Sequence, residues 1–265
     1  MSRLSTAILA ARPALGIFLT AGFPSRADTL PVLRAIEDGG ADFIELGMPF
    51  SDPLAEGLPI QRSSKRALED GMTMQRTLDM AAAFRAESTL PLLLMGYANP
   101  VLRYGPGNFF RACRSSGVDG VILPDVPLEE APRFTSEAAA NDIDFVFLVS
   151  PTTSNARMQQ IDQHASGFVY AVSVNGITGT ALGDADSTAA YLKRARTHIV
   201  QNPLMVGFGI RNHDDVVRLS PSTDGCIVGS ALVGQIEQWW DERPDATPGE
   251  RLDAVRTFVH SLKNG

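Results

Sequence analysis

Cysteine is nearly missing from this chain: Cys113 and Cys226 are the only two in 265 residues. They lie far apart and form neither a CxxC pair nor any metal-ligand spacing, so a disulfide framework is excluded and two reduced, largely buried thiols are expected, as in a cytoplasm. Lysine is almost as scarce. Lys65, Lys193 and Lys263 are the full set, all on predicted helices or the tail, which leaves no strand-end lysine for a Schiff base and argues against imine chemistry. The four histidines, His164, His198, His213 and His260, fall in helical or helix-flanking segments without shared ligand spacing. Surface or packing roles are expected for them, and no metal. An excess of positive charge is also missing: the formal net charge of −7 argues against a nucleic-acid-coating face. The apolar stretch from Ile8 to Gly22 is broken by Arg12 and Pro13, so it reads as a short amphipathic helix over Ser2–Ala11 followed by a strand, not as a targeting segment. No Pro/Ser-rich linker divides the chain.

What is present is 44% hydrophobic and 20% charged residues, the composition of a globular protein with ample core. Short apolar runs recur along the whole length: LGIFLTAG, DFIELG, PLLLMGY, DGVILPDV, DFVFLVS, GFVYAVS, PLMVGFG and DGCIVGS. They predict eight strands separated by helical patterns. Near-continuous apolar strands alternating with helices imply a parallel sheet, closed as a barrel or open and doubly wound, and the number eight points to the barrel. The expectation is one (β/α)8 TIM barrel domain over residues 1–265, with an extra N-terminal helix and short extra helices in the βα loops. After Asp28 a helix carries Leu30, Leu33 and Ile36 on one face, with Pro31 in its tolerant first turn and Gly39-Gly40 ending it. The polar stretch Asp241–Gly249 reads as a loop leading to a last helix with Leu252, Val255, Phe258 and Val259.

In a parallel barrel the functional groups gather at the carboxyl ends of the strands. Strand alternation turns Phe43 and Glu45 toward the barrel interior, where apolar surroundings raise a carboxyl's pKa toward that of a useful proton donor. A structural carboxylate paired with an arginine is the other reading of Glu45. Asp52 and Glu56 follow in the next loop, where each is also an ordinary turn or solvated residue. Glycines end three late strands: Gly176-Ile177-Thr178-Gly179, Gly207-Phe208-Gly209 and Gly229-Ser230. Together they suggest a phosphate cradle built from backbone N–H groups and a helix N-terminus, although any one alone is a plain turn. A site without metal, imine or lysine must rely on carboxyl acid–base chemistry and on a substrate that takes up electrons itself.

The segments ELGMPFSDPLAEGLPIQ, MGYANPVLRYG, LPDVPLEE, YAVSVNGITG, VGFGIR and VGSALV, in that order, resemble the tryptophan synthase α-subunit family across nearly the whole chain. The resemblance implies cleavage of indole-3-glycerol phosphate to indole and glyceraldehyde-3-phosphate by a retro-aldol step. It implies that Glu45 is the proton-shuttling glutamate and that Glu56 stands where the family has a catalytic aspartate against the indole N–H. It further implies that Phe18, Tyr97, Tyr170 and Phe208 belong to the substrate pocket, that Thr178 helps close a lid, and that Gly179, Gly209, Gly229 and Ser230 hold phosphate. Asp52, Pro53 and Asp125 fall at loop positions facing a β subunit, in an α2β2 assembly whose pyridoxal phosphate belongs to that partner; no cofactor is implied for this chain. Two departures stand out: Glu56 in place of aspartate, and Leu58-Pro59 in place of Gly-Pro order. A regulatory subunit with weak cleavage of its own, or another phosphate-binding barrel lyase, are the alternatives.

Overall fold

A computed structural model of the chain describes residues 1–53, 56–172, 185–207 and 209–265. Eight parallel strands close into a barrel in chain order: β1 (Ala14–Thr20), β2 (Phe43–Gly47), β3 (Leu92–Met95), β4 (Gly120–Ile122), β5 (Asp144–Val149), β6 (Val169–Val172), β7 (Leu204–Gly207) and β8 (Gly225–Val228). Each apolar run in the sequence supplies one strand, and β1 pairs with both β2 and β8, so the barrel is closed and the open alternative is excluded. The helices are α1 (Arg3–Ala10) ahead of β1, α2 (Arg26–Asp38), then α3 (Leu58–Glu69) and α4 (Met74–Arg85) between β2 and β3. α5 (Ala98–Tyr104) and α6 (Pro106–Ser115) follow β3, and α7 (Pro132–Ala140), α8 (Asn155–His164), α9 (Ala185–His198) and α10 (His213–Leu219) follow β4 to β7 in turn. α11 (Ser230–Asp241) and α12 (Pro248–Asn264) complete the chain.

The N-terminal helix forms where expected. Ser2 caps it by accepting from the Ser5 amide, and Leu4 and Ile8 are fully buried. In α2 the expectation needs correction, because Pro31 lies in the helix interior and not in its first turn. The helix starts earlier than the apolar pattern shows, at Arg26, because Ser25 is a strong N-cap: its hydroxyl accepts from the Asp28 amide at 3.1 Å and donates to the Asp28 carboxylate at 2.6 Å. A cap of this kind satisfies an otherwise orphaned donor and fixes the start upstream of Pro31. Gly39 ends the helix, and Gly40, at φ +97°, turns the chain toward β2.

At the N-terminal end of the barrel one polar device recurs. A residue just before each even strand, immediately ahead of β2, β4 and β8 and three positions ahead of β6, donates its amide to an odd-strand carbonyl and accepts, through its side chain, the amide of that same odd-strand residue. Asp42 does this to Leu15, Asp119 to Leu92, Ser166 to Phe145 and Asp224 to Leu204, with side-chain bonds of 2.8, 2.9, 2.8 and 2.8 Å. The three aspartates are held by cations: Lys263 on Asp42 at 2.6 Å, Arg85 and Arg3 on Asp119 at 2.7 and 3.2 Å, and Arg12 and Arg196 on Asp224 at 2.6 and 2.8 Å. This end thus ties neighbouring strands together, and the opposite rim is left for loops.

The last helix begins with a capping box between Thr247 and Glu250 and buries Val255, Val259 and Leu262. It packs so closely on the end of α2 that a Cβ at Gly39 would stand 2.7 Å from Val259. Cys113, in α6, and Cys226, in β8, are both buried free thiols. Among the described residues no helix is long and apolar enough to cross a membrane.

Candidate active site

The C-terminal rim of the barrel opens into a cavity of about 440 Å³ lined by Phe18, Glu45, Glu56, Tyr170, Gly209, Gly229 and Ser230, among others. Strand register builds its floor: Phe18 on β1 is directly beside Glu45 on β2. Glycines on adjacent strands make room for the two site aromatics. A Cβ at Gly47 would come within 2.5 Å of the Phe18 ring, and one at Gly207 within 2.1 Å of the Tyr170 hydroxyl. The far end of each ring therefore packs against a glycine of the neighbouring strand, a fit that a larger residue would not allow.

Glu45 is fully buried, and neither carboxyl oxygen has a hydrogen-bond partner among the described residues. The alternative of a structural carboxylate paired with arginine is therefore set aside. Taking an unpaired carboxylate out of water disfavours its charged form, and burial pushes the Glu45 pKa up to about 8. At neutral pH the group is mostly a protonated acid, with a proton to give and the basicity to take one back. Tyr170 is buried at the same floor, and its phenol is shifted well upward, first by burial and then by the negative charges of Glu45 and Glu56.

Glu56 follows the β2 loop and is buried beside the cavity. Its backbone carbonyl accepts from the Gln61 side chain at 2.9 Å, and its carboxylate accepts from the Tyr97 hydroxyl. Tyr97 stands at the N-cap of α5 and stacks on Phe50 with ring centroids 5.0 Å apart. It contacts Glu56 and does not itself line the cavity. Asp125 is exposed and lies beyond the cavity wall, accepting the Ala98 amide through both oxygens at 3.0 and 3.1 Å. Asp52 is exposed and Pro53 half-buried on the loop after β2, away from the cavity.

Opposite the carboxyls, Gly209, at φ +76°, meets Gly229 and Ser230, the N-cap and first residue of α11. The helix N-terminus here belongs to a twelve-residue helix. Free amides of a first helical turn favour an anion. Thr178, Gly179 and Phe208 lie outside the described residues. Sequence reasoning did not single out Ile60, Met95, Ile227, Gln235 or Arg211, all of which line the cavity. Met95 and Ile227 sit at strand ends and could have been found by inward alternation. Arg211 follows Gly209 by two positions, and its place just after that glycine motif is the signal that could have found it.

Fold and cavity together define a parallel (β/α)8-barrel protein with a buried, carboxyl-bearing pocket at the C-terminal ends of its strands, where enzymes of this architecture carry out their chemistry. Residues 4–263 match the family model for the tryptophan synthase alpha chain, and the chain belongs to that family. It is 43% identical over 263 residues to a tryptophan synthase alpha chain of Alkalilimnicola ehrlichii, covering 98% of this chain and 94% of the relative. The fold superimposes with a TM-score of 0.89 on the alpha chain from Legionella pneumophila at 33% identity, covering 99% and 96% of the two chains. It superimposes at 0.85 on a chain from the tryptophan synthase a2b2 complex of Pyrococcus furiosus at 37% identity, covering 95% and 98%.

Proposed function

We propose that this chain, one barrel domain over residues 1–265, is a working α subunit that cleaves indole-3-glycerol phosphate into indole and glyceraldehyde-3-phosphate. The observation that carries the reading is Glu45: a buried carboxyl of raised pKa, without a hydrogen-bond partner among the described residues, on the floor of a cavity walled by aromatic rings on one side and strand-end glycines on the other. In this reading Glu45 gives its proton to indole C3. The C3–C3′ bond then breaks, its electrons returning to the ring, while the hydroxyl on C3′ becomes the aldehyde carbonyl and its proton returns to Glu45. No net proton is consumed. Glu56 accepts the indole N–H and stabilises the positive ring that exists between the two steps. Phe18 and Tyr170 hold the ring, with Phe208 assigned to the same pocket. Gly209, Gly229 and Ser230 hold the phosphate, and the family resemblance assigns Gly179 and Thr178 to the same ligand.

The partner in this reading is a β subunit in an α2β2 assembly, and pyridoxal phosphate belongs to that subunit; we assign no cofactor to this chain. Leu58 and Leu102 support a docking face here: both are large apolar side chains left exposed, at 59% and 37%, on segments that follow β2 and β3. Asp52, Pro53 and Asp125 lie on loops of the same rim. A cytoplasmic location goes with this biosynthetic role.

The test is indole release from indole-3-glycerol phosphate by wild type and Glu45→Gln, each with and without a β subunit. Wild type should turn over, and Glu45→Gln should lose at least ~10³-fold in kcat, the scale expected when proton transfer in both directions is removed. Equal rates in the two proteins would overturn the assignment.

A further inference from the structure

Among the side-chain clasps at the N-terminal end of the barrel, the one made by Asp224 differs in how its cations are used. At Asp119 all three nitrogens of Arg85 donate within the protein: Nε to the Gly117 carbonyl at 2.9 Å, Nη1 to the Ser88 carbonyl at 2.9 Å and Nη2 to Asp119 at 2.7 Å. Arg3 adds a single longer contact at 3.2 Å. At Asp42 the cation is Lys263, which also donates to the Gly40 carbonyl at 2.9 Å. Asp224 instead meets two guanidinium groups that use one nitrogen each. Arg196 donates through Nη1 to one carboxylate oxygen at 2.8 Å, and Arg12 meets the other through Nη2 at 2.6 Å. The other nitrogens of both have no acceptor among the described residues, and the two side chains are half exposed. They flank a recess of about 330 Å³ lined by Pro13, Ser222, Thr223 and Asp224 as well. Asp224 is nearly fully buried, so the carboxylate lies at the back and the two cations at the mouth.

The charged groups lining the recess, two arginines and one aspartate, leave a net charge of +1 on a chain whose formal net charge is −7. One arginine neutralises Asp224; the second is in excess. The hydroxyls nearby divide in the same way. Ser220 and Thr223 donate to the Val216 and Leu219 carbonyls at 2.6 and 3.0 Å, whereas the Ser222 hydroxyl lines the recess without a hydrogen-bond partner among the described residues. A guanidinium is a planar fork of donors matched to oxyanions, and two forks with a hydroxyl ask for more acceptor oxygens than a planar carboxylate offers. We infer that this recess is an oxyanion site at the opposite end of the barrel from the rim cavity, and that it takes a phosphate group, free or as the ester of a small organic molecule. Arg12 and Arg196 grip its oxygens from two sides, and Ser222 donates to another. The volume is at the lower end of the range for small-molecule sites, which suits a phosphate with a short organic tail. Bound there, the anion ties α9, the segment ahead of β1 and the turn before β8 to one another. Nothing in this depends on the role given to Glu45.

The experiment follows the side-chain Nε–H resonances of Arg12 and Arg196 by NMR in the nitrogen-labelled full chain, each identified by its loss in Arg12→Lys or Arg196→Lys, which keep a cation on Asp224. Inorganic phosphate and glycerol 3-phosphate are titrated separately, with ionic strength held constant by sodium chloride. Both resonances should shift and saturate, with half-saturation at about 1 mM. In Ser222→Asp, which places a carboxylate in the recess and leaves the Asp224 clasp intact, half-saturation should rise at least about tenfold. Tighter binding of the ester assigns the recess to phosphomonoesters and equal binding to the free ion; either result supports the site. Arginine resonances that do not move, that drift without saturating, or that respond equally in Ser222→Asp would overturn it. So would shifts confined to the Gly229 and Ser230 amides, which would put all phosphate binding at the rim and leave the lyase assignment untouched.

Discussion

In the proposed function Glu45 is useful because its carboxyl has no hydrogen-bond partner among the described residues. With the pKa raised to about 8 by burial, the protonated form is the one that starts the reaction in the function proposed above. Cleavage by the wild type is therefore expected to fall as pH rises through about 8, a limb that a pH profile of kcat/KM would reveal. The same shift has a stability consequence. Between the unfolded pKa near 4.5 and the folded value of about 8, the folded state holds a proton that the unfolded chain has released, so this group makes stability decline as pH rises across that window. Glu45→Gln should flatten that decline and leave the variant more stable than wild type above pH 8, by on the order of a few kcal/mol. Denaturant titrations at pH 5 and pH 9 measure it, and parallel slopes in the two proteins would contradict it. Glu45 could be placed from the sequence because a two-residue period assigns each strand side chain to a face. Tyr97 was placed less well, since a residue just past a strand end is free of that period, and only the structure places its hydroxyl on Glu56.

At the scale of elements, strands were the most legible part of the molecule, since each is a short apolar run that nothing else in a soluble chain explains. Helix starts were less so. α2 begins upstream of its apolar stripe because a side-chain cap, not hydrophobic spacing, sets its first turn. What the sequence hid entirely was the pairing of glycines with aromatics across strands, because the partners are remote in the chain and meet only through register. Gly207 and Tyr170 are such a pair. Gly207→Ala is expected to push the Tyr170 ring into the cavity, costing about 1–3 kcal/mol of stability and raising KM for the indole substrate. Unfolding midpoints and steady-state kinetics on the one variant check both, and unchanged KM would show that Tyr170 does not border the ligand.

For the whole molecule, chemistry and cohesion occupy opposite ends of the barrel. Asp224 shows how much rests on the lower end: it is nearly fully buried, holds the Leu204 amide, and neutralises both Arg12 and Arg196. Asp224→Ala strands a buried amide and leaves two guanidinium groups without their shared partner, for an expected loss of about 3 kcal/mol in urea unfolding. Asp42, more exposed and meeting a single lysine, should cost less when replaced by alanine; the reverse order would show that these contacts are not what ties the strands. None of this was legible beforehand. The aspartates ahead of β2, β4 and β8 appear in the sequence only as the first residues of apolar strand runs, and it is the register that places each one beside its odd-numbered neighbour.

Because the reciprocal side-chain clasp joins β1 to β2, β3 to β4, β5 to β6 and β7 to β8, the barrel is a ring of four couplets; the seams between them lack this clasp among the described residues, and the β8/β1 seam is bridged instead by the Arg12–Asp224 ion pair. New chain ends opened at a seam, for instance between α4 and β3, leave all four couplets whole; ends opened between β3 and β4 divide one. Circularly permuted versions should accordingly fall into two groups, those cut at seams refolding with most of the parent's stability and those cut within a couplet refolding poorly. The ancestry of such a ring would be sought in two-stranded pieces.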